Sequence, residues 1–346
     1  MMDYKKYLFN LIGLIVAILV AIALFVYTLD PFQQFRGSDK FIGNQRLEIG
    51  GVARHHDYDA IVTGSSMAMN HYPSQIDSLF GWRSMNFSIM GATFDDYDIM
   101  LRHVISTGKV KHIILGLDFF SFARARSSIN PYLYNDTYSD LYKYIYNYTT
   151  LENCINKINA PLGKENLYHF DSPLKGESLW TDYENMVNSG KIYKNENFDY
   201  ELMKTLFDET ILNIVEQSDK SIDWKIYFPP YSITEFMLYQ DKGSWEDIKK
   251  FKSYIINALL KYNNVSLYDY QQPQWIERLD QYMDLRHHSH YYNKRIIENI
   301  HSDSLRLTST NTAAFANTLD SLILVHRRHK AARHHCRAAS LCLWYR

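Results

Sequence analysis

The sequence predicts an α/β domain on a parallel sheet, with a helical insert and one N-terminal membrane-spanning helix. Three observations predict it. Short apolar runs (Ala60 to Thr63, Ser84 to Ile89, Val110 to Asp118, Trp224 to Phe228, Val265 to Tyr268) alternate with helical periodicity, the pattern of parallel strands joined by crossover helices. Leu8 to Leu29 is almost unbroken hydrocarbon, and a helix of that length crosses the roughly 30 Å apolar core of a bilayer. The first apolar run stops at Gly64-Ser65-Ser66, and a late Asp284-Leu285-Arg286-His287 follows the last one.

Residues 1–30 read as a cytoplasmic stub and a single-pass anchor. Lys5 and Lys6 stand before the apolar run against Asp3 alone, so the positive-inside rule keeps the N-terminus in the cytoplasm and the rest outside. A cleaved signal peptide is the alternative, but its apolar core would be only roughly 7–15 residues. Residues 31–57 read as a polar connector punctuated by Gly37, Gly43, Gly50 and Gly51. The domain occupies 58–308. Ser74, after Pro73, is an N-cap for a helix through Phe80. Asp95 and Asp96 open a second helix with Ile99, Met100, Val104 and Ile105 as its apolar positions.

Between about 123 and 221 the alternation is lost, and the stretch is rich in tyrosine. It is too long for a structureless loop and reads as a helical insert. Tyr138, Tyr142 and Tyr146 recur at i, i+4, i+8, which puts them on one helix face that packs on the main domain or serves as a sugar-stacking or lid surface. The sheet pattern resumes at Trp224, with helices expected from Ser244 to Tyr262 and from Asn293 to Ile300. Residues 309–346 differ in composition from everything before them, and are expected to be disordered or not native to the domain.

The net charge of −1 conceals an asymmetry. The last 21 residues carry five Arg and one Lys with no acid, which leaves 31 basic against 38 acidic residues in the rest. An acidic body is a poor match for nucleic acid. Cys154, Cys336 and Cys342 make no disulfide framework and no spaced zinc set. His287, His288 and His290 are clustered, but adjacent histidines point to different faces. No metal or other cofactor is expected.

A serine hydroxyl is a poor nucleophile unless a neighbouring base takes its proton. Histidine suits that task because its ordinary pKa lies near operating pH, and contributes on the order of 10²–10⁴-fold. A carboxylate then fixes the imidazole tautomer. Asp284 and His287 are close enough in sequence to pair on one turn. Only the serine must arrive from elsewhere in the chain.

In these motifs the chain resembles the SGNH (GDSL-like) hydrolase superfamily, above all its membrane-anchored branch related to DltD and the alginate O-acetylation proteins. The likeness spans roughly Asn44 to Ile300, interrupted by the insert. It implies a three-layer flavodoxin-like α/β fold. Gly64-Ser65-Ser66 stands where the superfamily has Gly-Asp-Ser, which makes Ser66 the nucleophile and puts Ser65 in place of the aspartate. Gly91 falls where a glycine N–H donates to the oxyanion, alongside the Ser66 N–H. Asp284-x-x-His287 matches the terminal Asp-x-x-His.

The third block, Gly-x-Asn-Asp, is altered: Gly116-Leu117-Asp118 puts Asp118 where an asparagine donates to the oxyanion. An ionised aspartate cannot donate, and losing one such donor costs on the order of 3 kcal/mol. A protonated Asp118, Asn70 or a backbone N–H are the alternatives. The resemblance implies a serine O-acyltransferase or esterase outside the membrane, working on a cell-envelope polysaccharide or acyl-donor substrate beside a membrane-bound O-acyltransferase. The competing expectation is a non-catalytic relative that binds envelope glycan or a membrane partner, and Asp118 is the feature that favours it.

Overall fold

The computed structural model describes residues 4–125, 129–135, 137–164, 172–189, 195–312 and 318–328. Five strands, β1 (Ala60–Thr63), β2 (Ser84–Asn86), β3 (His112–Gly116), β4 (Asp223–Phe228) and β5 (Val265–Asp269), form one sheet in the order β2-β1-β3-β4-β5. Every pairing is parallel, with Ile61 opposite both Met85 and Ile113, and Ile226 opposite Leu115 and Leu267. The strands are apolar along their length because helices cover them, as parallel sheets require. This strand order is a common doubly wound one, and it opens a crevice where the connections from β1 and β3 diverge. The chain leaves β1 directly into Gly64-Ser65-Ser66.

The first helix, α1 (Tyr4–Leu29), is long and apolar enough to cross a membrane or to be a signal sequence. Its C-terminal end is tied to the domain. Val26 is buried, Asp30 accepts the backbone N–H groups of Gln34, Phe35 and Arg36 and the hydroxyl of Tyr144, and Arg36 donates to the Tyr27 and Thr28 carbonyls.

The connector expectation is corrected over 45–55, where α2 (Gln45–His55) packs against α4 (Phe94–Ser106) and buries Leu47, Ile49 and Val52. Its glycines permit close packing and do not mark a flexible link. A methyl group on Gly50 would overlap the Leu133 carbonyl, and one on Gly51 would overlap the Phe32 carbonyl. Two further boundaries differ from expectation. β2 is shorter than expected and ends at Asn86, although the Phe87 and Ile89 N–H groups still donate to the Val62 and Gly64 carbonyls, and the Asn86 side-chain amide donates to the Ala68, Met69 and His71 carbonyls. α3 (Pro73–Phe80) takes Pro73 as its first residue, with Tyr72 and not Ser74 at the N-cap, a position that proline's fixed φ suits.

The insert is helical, with α5 (Leu141–Ile145), α6 (Tyr148–Ile158), α7 (Leu179–Ser189), α8 (Tyr200–Phe207) and α9 (Asn213–Gln217). The single helix expected to carry Tyr138, Tyr142 and Tyr146 is not formed: Tyr138 lies in a 3₁₀ turn and α5 stops at Ile145. Beyond β4, α10 (Ile233–Asp241) was not anticipated, since burial on nearly every side leaves it no amphipathic period. It is followed by α11 (Trp245–Leu259), α12 (Pro273–Ile276) and α13 (His290–His301). Part of the 309–346 tail is ordered, contrary to expectation. Residues 318–328 are helical, Leu319 and Ile323 are buried, and Asp320 accepts from Trp245 at 2.7 Å and Lys249 at 3.0 Å. Residues 313–317 and 329–346, with Cys336 and Cys342, lie outside the described residues.

Glu48 of α2 is fully buried and accepts the Ile42 and Gly43 N–H groups at 2.8 and 2.9 Å, with Lys157 4.0 Å away. Burial pushes its pKa up from 4.5 to about 7 despite those donors. An acid with a raised folded pKa favours folding below its unfolded pKa and loses that advantage as pH climbs to the folded value. Stability is therefore expected to fall by on the order of 3 kcal/mol between about pH 4.5 and 7 on account of Glu48. Thermal unfolding across that window checks this: Glu48→Gln should remove the slope, and an unchanged slope would refute it.

Candidate active site

The turn after β1 is held from several directions. Gly64 must be glycine, because a Cβ there would lie 2.8 Å from the Ala68 Cβ and 2.9 Å from the Gly116 carbonyl. Within the turn, the Ser65 carbonyl accepts from the Ala68 N–H and the Ser65 Oγ from the Met67 N–H. Outside it, the Ser65 hydroxyl donates to Asp118 Oδ2 at 2.5 Å, and the Asn86 amide straps the far end. Ser66 is thereby presented at the crevice.

The second half of the site comes from the loop before α13. Asp284 Oδ1 accepts the backbone N–H groups of Arg286 and His287 at 2.8 and 2.7 Å, while Oδ2 faces His287 Nδ1 at 2.6 Å. One carboxylate thus shapes the turn and orients the ring. Burial pushes the Asp284 carboxyl up, but the His287 ring and the two N–H donors outweigh it and hold its pKa below the usual carboxylate range. An ionised carboxylate only accepts, so the ring proton is assigned to Nδ1. That leaves the Nε2 lone pair toward Ser66 Oγ, 2.8 Å away across 221 residues of sequence. Ser66, His287 and Asp284 are brought together with the spacing of a hydrogen-bonded relay.

The relay opens on a cleft of about 640 Å³ whose lining includes Ser66, Gly91, Phe120, Arg124, Met186 and His287. No described group accepts from the Ser66 or Gly91 N–H. Asp118 is placed elsewhere. It is fully buried behind the turn, accepting from Ser65 and, at 2.6 Å, from the Tyr231 hydroxyl. Burial raises its pKa, and the two hydroxyl donors oppose that rise. It is a buttress for the nucleophile turn and does not face the cleft, so its candidacy as an oxyanion donor is corrected. Asn70 is also buried and does not line the cleft.

Several cleft residues escaped sequence reasoning. Arg286, inside the Asp-x-x-His motif, pairs bidentately with Glu196 at 2.8 Å and also with Glu235, while Arg124 joins Glu196 at 2.8 Å. Lys175 and Asp182, paired at 2.9 Å, and Met186 come from the insert, so the insert forms one wall of the cleft. No periodicity or motif marks any of them. Among the described residues no three His, Cys, Asp or Glu side chains converge on a metal position. His288 is buried and burial pushes its pKa down to about 3, which keeps it neutral. A groove of about 670 Å³ along α11 is lined by Trp245, Lys249, Lys252 and Asp320 and holds no comparable relay. No protein-family model matches the chain, and no curated protein is found to be similar to it.

Proposed function

We propose that the protein is an SGNH-like serine O-acyltransferase or esterase, held at the membrane by α1 with its domain on the outer side, acting on a cell-envelope polysaccharide. The observation that carries this reading is the Ser66–His287–Asp284 relay at 2.8 and 2.6 Å on the floor of an open cleft. The resemblance in motif order supplies the substrate class. Lys5 and Lys6 before the apolar helix support the orientation. Asp118 is occupied behind the turn, so it gives no support to the non-catalytic alternative.

Ser66 Oγ attacks the acyl carbonyl as its proton passes to His287 Nε2, and Asp284 stabilises the imidazolium. The carbonyl oxygen becomes an oxyanion held by the Ser66 and Gly91 N–H groups. Collapse breaks the bond to the leaving alcohol, which takes the proton from His287. The acyl-serine then passes to a glycan hydroxyl, or to water, whose proton returns to His287 as Ser66 is released. A fluorophosphonate probe tests this directly: the full chain in detergent should be labelled, and Ser66→Ala should not. Absence of labelling in the unaltered chain would overturn the proposal.

A further inference from the structure

We infer that α5 and α6 form a lipid-facing shelf that lies in the outer leaflet beside α1 and seats the domain on the bilayer. The inference rests on α1 being retained as a membrane span. Along α6, Tyr148, Leu151, Ile155 and Ile158 recur at i, i+3, i+7, i+10, and Leu162 follows just past its end. Four of them point away from the protein: Tyr148 is 78% exposed, Ile155 62%, Ile158 54% and Leu162 67%. The opposite face of the same helix buries Thr150, Cys154 and Lys157. An apolar stripe is thus exposed between the buried face and a polar flank of Thr149, Glu152, Asn156 and Asn159, the arrangement of a helix lying at a membrane interface. Exposed Tyr142 and Tyr146 extend the apolar surface from α5. Contiguous exposed apolar surface of this kind marks an interaction site on a folded protein.

The position of the stripe identifies what covers it. Both α5 and α6 pack against α1, and the Tyr146 hydroxyl reaches the Leu19 carbonyl at 3.4 Å. Counting roughly 20 residues from Lys6 sets the outer boundary of the apolar core near Val26, about 10 Å above the Leu19 carbonyl. Helices that lie in a membrane interface sink their apolar faces by roughly 5–10 Å, the same depth. At that depth the Tyr146 hydroxyl takes the Leu19 carbonyl as its partner, since no water is there to accept from it. Arg36, at the C-terminus of α1 and over the Tyr27 ring, puts a cation at that level. Linkage of the 161–163 segment to the connector, through Phe41 N–H to Pro161 and Gly163 N–H to Asp39, fixes the shelf to the root of the anchor.

The test uses the full chain in nanodiscs of phosphatidylethanolamine and phosphatidylglycerol, with Cys336 and Cys342 changed to Ser and buried Cys154 retained. An NBD fluorophore is attached to Ile155→Cys, Leu14→Cys or Tyr291→Cys, and lipids spin-labelled near the headgroup act as quenchers. The Ile155→Cys label is expected to lose about half or more of its emission at a depth of roughly 5–10 Å, while the label on exposed α13, at Tyr291→Cys, stays bright. If the Leu14→Cys label is quenched by deep spin-labelled lipids but the Ile155→Cys label is not, the shelf is refuted and the anchor stands, leaving the stripe for a protein partner. If neither is quenched, the anchor reading fails and the shelf with it.

Discussion

Ser66→Ala and His287→Ala are each expected to slow turnover of a chromogenic acetyl ester by about 10⁴–10⁶-fold, and the double variant is expected to be no slower than either single one. The reason is geometric. Ser66 Oγ lies 2.8 Å from His287 Nε2 and is a nucleophile only while that ring nitrogen takes its proton; without either partner the other has nothing to do. A loss of that size corresponds to about 5–8 kcal/mol of barrier. Asp284→Asn should cost about 10⁴-fold, since an amide cannot both accept from His287 Nδ1 and serve the two backbone donors as the carboxylate does. Steady-state kcat/KM on full chain in detergent measures all three. Single losses that multiply in the double variant, or that stay below about tenfold, would contradict a relay acting as one unit.

How much of this site was legible in the sequence depends on the distance over which each constraint acts. Gly64-Ser65-Ser66 and Asp284-x-x-His287 are local patterns, and the structure brings them together because β1 ends at the crevice of the sheet and the loop before α13 crosses it. The strands were legible for the same reason, being short apolar runs with clear stops. What remained hidden was set by long-range packing. Gly50 and Gly51 have the composition of a flexible link, but they are glycines because the Leu133 and Phe32 carbonyls press on them. Asp118 looked like a damaged oxyanion donor. Only the fold reveals that Ser65, the other altered position, donates to it. Ser65 and Asp118, the two positions at which the chain departs from the motifs it resembles, share one hydrogen bond.

Arg286→Met is expected to destabilise the protein by about 3–5 kcal/mol at neutral pH, because it removes a guanidinium from between two buried carboxylates. Arg286, Glu196 and Glu235 are each nearly inaccessible, and the guanidinium also lies 4.7 Å from the centre of the Phe120 ring. In the unaltered chain burial pushes the Glu196 carboxyl up, but Arg286 and Arg124 hold its pKa below the usual range. A depressed acid stabilises the fold above its unfolded pKa and loses that contribution as pH falls through its folded value. With Arg286 gone only Arg124 opposes that burial, so the Glu196 carboxyl is held down less and its stabilising contribution above the unfolded pKa shrinks. Thermal unfolding from pH 4 to 8, about the span over which carboxylates titrate, should therefore show the two curves converging at the acid end, and Glu235→Gln added to Arg286→Met should recover part of the deficit. A deficit independent of pH would mean that Arg286 contributes packing alone. The same side chain bridges Glu196 of the insert and Glu235 of α10 from within the Asp284–His287 turn. Its loss should accordingly lower turnover by about 10²-fold through displacement of His287, while the fluorophosphonate probe still labels Ser66. Persistent labelling with slowed turnover separates a positioning residue from the nucleophile it positions.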